Sequence, residues 1–375
     1  MALIRPVRLF AAASILAAVG LPVLSSSAAA QRSMIPTVHP VLLAQPPAGA
    51  TKPDDITMLD GLLYVTYQNK AGKDGSPPDS MSTIVAFDPG TGGVVTTYSV
   101  LGRCDGLTAD PNNNRLLASV NEDNNSSLFV ITPGDPVPAH FDYVPNPAEI
   151  GTDSALNGGT DAISVTPDGT IYVAHSNPAV GLDTAAVYTM TLDGSTAVLT
   201  RVFGVNDSAR VINHTRGGPL NAPLGLTDPD SNRFLPGLRG GTLVQDAQAD
   251  SKLVLATHLR RGRPQLRQLI LTNEGQPAGS TLTPQLDDIE QVTGPGVLYA
   301  VDQKTGTIYS IDTTRAERGT FFVSQPAPSA GDNANAPALG VVDLRTGVVT
   351  PVDFTLGSPK GLLFVPARSD IFGRR

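Results

Sequence analysis

Tryptophan is absent from this 375-residue chain, cysteine occurs once, and aromatic residues amount to 5%. Without tryptophan, the Trp-Asp repeat signature is excluded. A single cysteine, Cys104, excludes an internal disulfide and any Cys-x-x-Cys metal or redox site. In an oxidising compartment such a thiol is expected to be buried and inert. The net charge is −8, so the basic stripe that a nucleic-acid partner would need is missing. After residue 23 no apolar run is long enough to span a bilayer. The chain also lacks Gly-x-Ser-x-Gly, His-Glu-x-x-His and a phosphate loop, which removes the commonest hydrolase, zincin and nucleotide-binding routes.

What the chain has is punctuation: 37 Gly and 32 Pro beside an apolar fraction of 41%. That combination suits many short strands joined by tight turns around a sizeable core. The first 30 residues have the form of a signal peptide. Arg5 and Arg8 precede an apolar stretch from Phe10 to Val23, and Ala28-Ala29-Ala30 offers small residues before Gln31. The competing reading, a membrane anchor, is weakened by Gly20 and Pro22 within the stretch. The expectation is an exported protein, periplasmic or extracellular, with no membrane span after cleavage and a net charge of about −10.

Residues 31–52 form a Pro/Ala-rich lead-in, 53–367 the repeat region, and 368–375 a short tail. Within the repeat region a small or acidic residue precedes a short apolar strand, a turn follows, and a second apolar strand comes next. The copies are Asp54-Asp55-Ile56 with Leu62-Leu63-Tyr64-Val65, Asp105-Gly106-Leu107 with Leu116-Leu117-Ala118, and Asp161-Ala162-Ile163 with Ile171-Tyr172-Val173. A fourth is Asp287-Asp288-Ile289 with Leu298-Tyr299-Ala300, and Lys360-Gly361-Leu362 opens a last strand. A second hairpin follows most copies, as in Ile84–Asp88 before Gly92–Val95 and Leu339–Asp343 before Thr346–Val349. Two hairpins make four antiparallel strands, which bury too little alone and must stack on their neighbours. The stretch between 161 and 287 holds one further unit or two, with candidate strands at Leu224–Leu226, Leu243–Gln245 and Leu253–Leu255. At about 50 residues per unit the fold class is all-β, a β-propeller of six four-stranded blades (seven is the alternative). Pairing of the N- and C-terminal strands within one blade is expected to close it.

The phrases Asp-Gly-Leu-Leu-Tyr-Val (60–65), Pro-Asp-Gly-Thr-Ile-Tyr-Val (167–173) and Asp-Leu-Arg-Thr-Gly-Val-Val (343–349) resemble those of six-bladed propellers of the NHL/SMP-30-like superfamily. That superfamily includes calcium-dependent lactonases and many non-enzymatic binding modules, so the resemblance leaves the activity open. Its lactonases typically place a Glu at one inner-strand start. No copy here has Glu at that position.

Aligning the copies puts Asp54, Asp105, Asp161 and Asp287 at one equivalent position, at the mouth of the central channel, with Lys360 and either Leu224 or Gly241 in the remaining places. Carboxylates gathered in a ring repel one another unless a cation, hydrogen bonds or protons relieve them. Hard oxygen donors suit Ca²⁺, the candidate cofactor. The same aspartates would equally serve by capping local turns. The second strands end at Tyr67, Val120, His175, His258 and Asp302, which makes His175 and His258 candidate catalytic residues as general base or metal ligands. Long loops at 69–81, 176–184 and 326–336 follow on the same face. Arg260, Arg261, Arg263 and Arg267 form a basic cluster that would suit an anion or simply a solvated loop. Asp228-x-Asp230-x-Asn232 begins like an EF-hand, but Arg233 stands where Gly is required and Arg239 where the closing Glu belongs. The expected function is a monomeric binding module for a small molecule, sugar or protein at the channel mouth. The other reading is a calcium-dependent hydrolase or lactonase.

Overall fold

The computed structural model describes residues 36–77, 80–147, 158–179, 181–275, 283–328 and 336–367. The signal-like segment 1–30 and the tail 368–375 lie outside the described residues. The described residues contain no α-helix and 27 strands.

After β1 (Val41–Ala44) the chain forms β2 (Pro53–Leu59), β3 (Leu62–Tyr67), β4 (Met81–Phe87) and β5 (Val94–Leu101), hydrogen-bonded in that order. Asp60 and Gly61 join β2 to β3, both with positive φ (50° and 80°). That is the conformation whose twist matches a two-residue hairpin. The four-strand unit recurs as β6 (Cys104–Asp110), β7 (Arg115–Val120), β8 (Ser127–Ile131) and β9 (Ala139–Val144). It recurs again as β10 (Gly159–Val165), β11 (Ile171–Ser176), β12 (Ala185–Asp193) and β13 (Thr196–Gly204). The outer strands β9 and β13 pair in parallel, fusing these two units into one eight-stranded sheet. A small pair, β14 (Ser208–Val211) and β15 (Asn221–Pro223), lies on the outer edge of the fourth unit. That unit is β16 (Pro229–Leu235), β17 (Thr242–Ala247), β18 (Lys252–Thr257) and β19 (Gln265–Ile270).

The remaining strands are β20 (Thr272–Asn273), β21 (Asp288–Gln291), β22 (Gly296–Asp302), β23 (Thr307–Asp312), β24 (Phe321–Gln325), β25 (Ala338–Val342), β26 (Val348–Asp353) and β27 (Pro359–Pro366). They interleave two sheets: β21 pairs with β24 in the order β21-β24-β25-β26-β20, while β22 and β23 lie between β27 and β1. The expected hairpin from Asp287–Ile289 to Leu298–Ala300 therefore does not form, because β22 takes β27 as its inner neighbour. The chain's two ends lie in one sheet without being direct neighbours. β1, from within the lead-in, is the outer strand of the sheet whose inner strand is β27, with β23 and β22 between them.

Six strands, β2, β6, β10, β16, β21 and β27, each contact the next, and β27 contacts β2. The core is correspondingly divided into six slabs, each between neighbouring units. Leu59, Tyr64 and Ile84 meet Leu107, Leu116 and Ile131 in one of them. Tyr172, Val187 and Phe203 meet Leu243, Val254 and Ala256 in another. Sheets packed face to face around an axis are propeller-like. Burial is therefore shared between repeats rather than gathered in one centre.

Candidate functional site

The inner strands share one irregularity. Pro53 pairs with Tyr67 and Ile56 with Val65, so Asp54 and Asp55 together face Thr66. The same two-against-one bulge sets Asp105 and Gly106 against Ser119, and Asp161 and Ala162 against Ala174. It recurs with Asp230 and Ser231 against Asp246, and with Lys360 and Gly361 against Val301. In a regular strand successive side chains point to opposite faces. A bulge re-aims them, and so Asp54 and Asp55 both line one small void, which Asp287 and Asp288 also line. Gly106 and Gly361 stand where neighbouring inner strands come closest. A Cβ on Gly106 would lie 2.3 Å from the Asp161 carbonyl oxygen, and one on Gly361 2.6 Å from that of Asp54.

The second aspartate of each Asp-Asp pair stitches neighbouring strands together. Asp55 accepts from the N–H of Ile56 (2.7 Å) and of Leu107 on the next inner strand (2.7 Å). Asp288 does the same with Ile289 (2.7 Å) and Leu362 (2.7 Å). Glu290 accepts from Phe364 N–H and is ion-paired with Arg233 at 3.1 Å.

The structure brings all four predicted ring aspartates together. The fourth unit adds Asp230, not Leu224 or Gly241, beside Asp54, Asp105, Asp161, Asp287 and Lys360. Lys360 pairs with Asp287 and lies 3.3 Å from Asp54 Oδ1. Gln303 Nε2 donates to the same Asp54 oxygen at 3.3 Å. Arg103 Nε lies 3.0 Å from Asp105 Oδ1, which also accepts from Gln68 Nε2 at 2.6 Å. The other oxygen, Asp105 Oδ2, is buried and has no hydrogen-bond donor. Above the ring, Glu122 Oε1 meets Arg103 Nη1 at 3.3 Å and Lys73 Nζ at 3.1 Å.

Two spaces flank the ring. The outer is a polar cavity of about 160 Å³ walled by Lys73, Arg103 and Glu122, the ring without Asp287, Gln248, Gln285 and residues 326–328. The inner void, about 10 Å³, is lined by Asp54, Asp55, Asp105, Asp161, Asp230, Asp287 and Asp288. It is the size of a single water or ion.

The electrostatics follow from burial with too few cations. Burial above all, and then neighbouring carboxylates, hold Asp105, Asp161 and Asp230 well above the usual carboxylate range, although Arg103 opposes this at Asp105. Burial pushes Asp287 up to about 7 against the pull of Lys360. Asp228 is raised to about 6 by burial and by Glu122. Burial would also raise Glu122, but Arg103 and Lys73 outweigh it and hold that carboxyl below its ordinary value. After burial, the neighbouring Asp161 carboxyl is the largest cause of the rise at Asp230. Hard oxygen donors in excess, one of them bare, fit a divalent cation chemically. Among the described residues, however, no three such side chains already converge on one metal position. A bound ion would therefore require them to turn inward.

The histidines are not part of this assembly. Ala247, not His258, occupies the position of His175 in the fourth unit, because β17 (Thr242–Ala247) is its second strand and β18 (Lys252–Thr257) its third. Adjacent strands run in opposite directions, so His258 emerges at the far end. It lines a separate cavity of about 150 Å³ with Asp168, Tyr172 and Phe234. His175 is buried against Tyr188, with Nδ1 2.9 Å from the Ala185 carbonyl oxygen and Nε2 without a partner. Burial lowers it to about 4. Of the long loops, 69–81 supplies Lys73 to the outer cavity and 326–336 supplies Pro326, Ala327 and Pro328. Cys104 is buried, as its isolation in the sequence implied.

No protein-family model matches the chain, and no curated protein matches it. Solved structures similar to it include the periplasmic gluconolactonase of Pseudomonas aeruginosa (14% identity, 84% of this chain and 88% of that one, TM-score 0.46). Others are Kuenenia stuttgartiensis hydrazine synthase (14%, 82% and 68%, TM-score 0.43) and a GH43_1 enzyme of Xanthomonas citri (11%, 85% and 96%, TM-score 0.41). Likeness at this level carries nothing about activity, and the three differ in what they are named for.

Proposed function

We propose that the chain is a six-bladed β-propeller acting as a binding module, which takes a small polar ligand in the outer cavity above a carboxylate ring that holds one divalent cation. The six inner strands in cyclic contact and the six core slabs support the blade count. The cation reading rests on one observation: Asp105 Oδ2, buried without a donor, on the wall of an ion-sized void among seven aspartates. Calcium is the candidate, since it accepts several carboxylate oxygens in flexible geometry. Asp54, Asp105, Asp161, Asp230 and Asp287 would hold it. The signal-like segment supports an exported form, and the acidic balance disfavours nucleic acid.

Calorimetric titration with Ca²⁺ at pH 7.5, in two buffers of different ionisation enthalpy, tests the site. One saturable event with proton release is expected, because ring carboxyls hold protons that a cation must displace. Asp105→Asn should weaken it about tenfold or more, the loss of one charged ligand being worth at least ~1.4 kcal/mol. A titration without saturable heat, together with a melting temperature indifferent to EDTA and Ca²⁺, would remove the cation from the reading.

A second reading, a calcium-dependent lactonase, is favoured by one feature. Glu122 is held ionised on the wall of the outer cavity by Arg103 and Lys73, where a carboxylate could take a proton from water. A panel of lactones and esters, run with Glu122→Gln and Asp105→Asn, decides it. Turnover abolished by both changes supports catalysis, and no turnover leaves the binding module.

A further inference from the structure

The basic cluster of the sequence separates in the fold. Arg260 is ion-paired with Asp168 at the mouth of the His258 cavity. Arg267 instead sits on β19 directly opposite Arg210 of β14 in a parallel ladder. The next pair in register, Val211 and Gln268, is buried, so Arg210 and Arg267 share the outward face. Strand spacing brings their Cα atoms to about 4.8 Å. Like charges directly opposite each other on a sheet are destabilising, and this face gives them no relief. Asn221, which pairs with Arg210 from β15, is uncharged, as are the exposed Ser208 and Gln265 beside them. Asp207, the nearest acid in sequence, is engaged by Arg201. Burial first, and then the charges of Arg239 and Arg210, hold the Arg267 guanidinium below its ordinary value. Neither Arg210, Arg239 nor Arg267 has an ion-pair partner among the described residues. On a chain of net charge −8 acids are plentiful, yet none among the described residues is ion-paired with these arginines.

We infer that the outer face of the fourth sheet, where Arg210 and Arg267 lie side by side with Arg239 and Asn221, is an oxyanion site for a phosphate group. A guanidinium is a planar fork whose parallel N–H groups match two oxygens of one phosphate. Two forks one strand apart can grip the same group, and the anion removes the repulsion between them. The site is independent of the carboxylate ring, which belongs to the inner strands.

The test uses the full chain at low ionic strength, where exposed charges are least screened. Inorganic phosphate is titrated by NMR chemical-shift perturbation in one arm, and vesicles containing phosphatidylglycerol are tested by co-sedimentation in the other. Saturable binding in the first arm identifies a free-phosphate site, and binding in the second alone identifies a lipid headgroup. In either arm the R210Q/R267Q double variant should raise the dissociation constant about tenfold or more, as loss of two charge-assisted contacts implies. R210K/R267K, which keeps the charge but not the fork, should lose an intermediate amount. R210K/R267K should keep the wild-type melting temperature, and R210Q/R267Q, which removes the repulsion, should raise it slightly. Binding unchanged in R210Q/R267Q, or saturable binding in neither arm, overturns the inference.

Discussion

In the absence of a divalent cation, raising the pH from 5 to 8 should destabilise the wild-type protein relative to Asp287→Asn. Asp287 has an ordinary carboxyl value of 3.8, and burial pushes it up to about 7 in the fold. Between those values the folded state holds a proton that the unfolded chain has released. Stability therefore falls as pH rises. The contribution is complete below the unfolded value and is lost as pH passes through the folded one. At about 1.36 kcal/mol per unit, the part of this that falls between pH 5 and 8 is roughly 3 kcal/mol. Unfolding entropy near 2.1 cal/mol/K per residue converts that to about 4 °C in Tm for a folded region of about 330 residues. His175 acts in the opposite direction. Burial lowers it to about 4, so the fold is destabilised at pH 5, where the unfolded imidazole would take a proton. That offset, roughly 2 kcal/mol over the same window, would mask the effect in wild type alone. The difference from Asp287→Asn cancels it. Thermal melts in EDTA at four pH values provide the assay, and Ca²⁺ at pH 8 should recover what the lost proton took away. A difference between the two proteins that is flat, or that grows toward acid, would refute the reasoning.

Four further outcomes follow from particular side chains. Asp246 stands where Thr66, Ser119 and Ser324 stand in other sheets, and both its oxygens are buried without a hydrogen-bond partner. Asp246→Ser should therefore stabilise the protein at pH 8 by about 1–3 kcal/mol in chemical denaturation. Asp55→Ala strands two N–H groups on adjacent inner strands and should cost about 2–4 kcal/mol by the same measurement. Lys360→Met removes the cation that the chain itself supplies to Asp54 and Asp287. It should lower the stability of the metal-free protein by about 3–5 kcal/mol at pH 8, while Ca²⁺ binds more tightly in a calorimeter. His258→Ala should leave Ca²⁺ affinity unchanged, since His258 lines the other cavity.

Much of the ring was legible because the inner strands keep one phrase: a charged residue, a small or acidic one, then an aliphatic anchor such as Ile56, Leu107, Ile163, Ile289 or Leu362. Asp230 escaped because its anchor is polar. Asn232 is buried and donates from Nδ2 to the Ala162 carbonyl oxygen at 3.1 Å, while Ser164 Oγ donates to the Asn232 carbonyl oxygen at 2.9 Å. Hydrogen bonds to the neighbouring inner strand replace apolar packing there, and no hydrophobic pattern reports that. With the anchor missed, residues 243–255 passed for an inner hairpin one strand too early, which carried His258 to the wrong end of the sheet. The exchange of β22 and β23 between sheets was illegible for a different reason. Gly294-Pro295-Gly296 has the composition of a turn, and composition does not say which distant strand each side will pair with. The bare oxygen of Asp105 and the void beneath it depend on five bulges falling in step, which only the register reveals.

Anomalous diffraction from crystals soaked in Mn²⁺ at pH 8, as a stand-in for Ca²⁺, tests the central claim most directly. The account predicts one peak in the void among Asp54, Asp105, Asp161, Asp230 and Asp287, with Asp105 Oδ2 among its ligands. A void without a peak, with Lys360 still bridging Asp54 and Asp287, would contradict it.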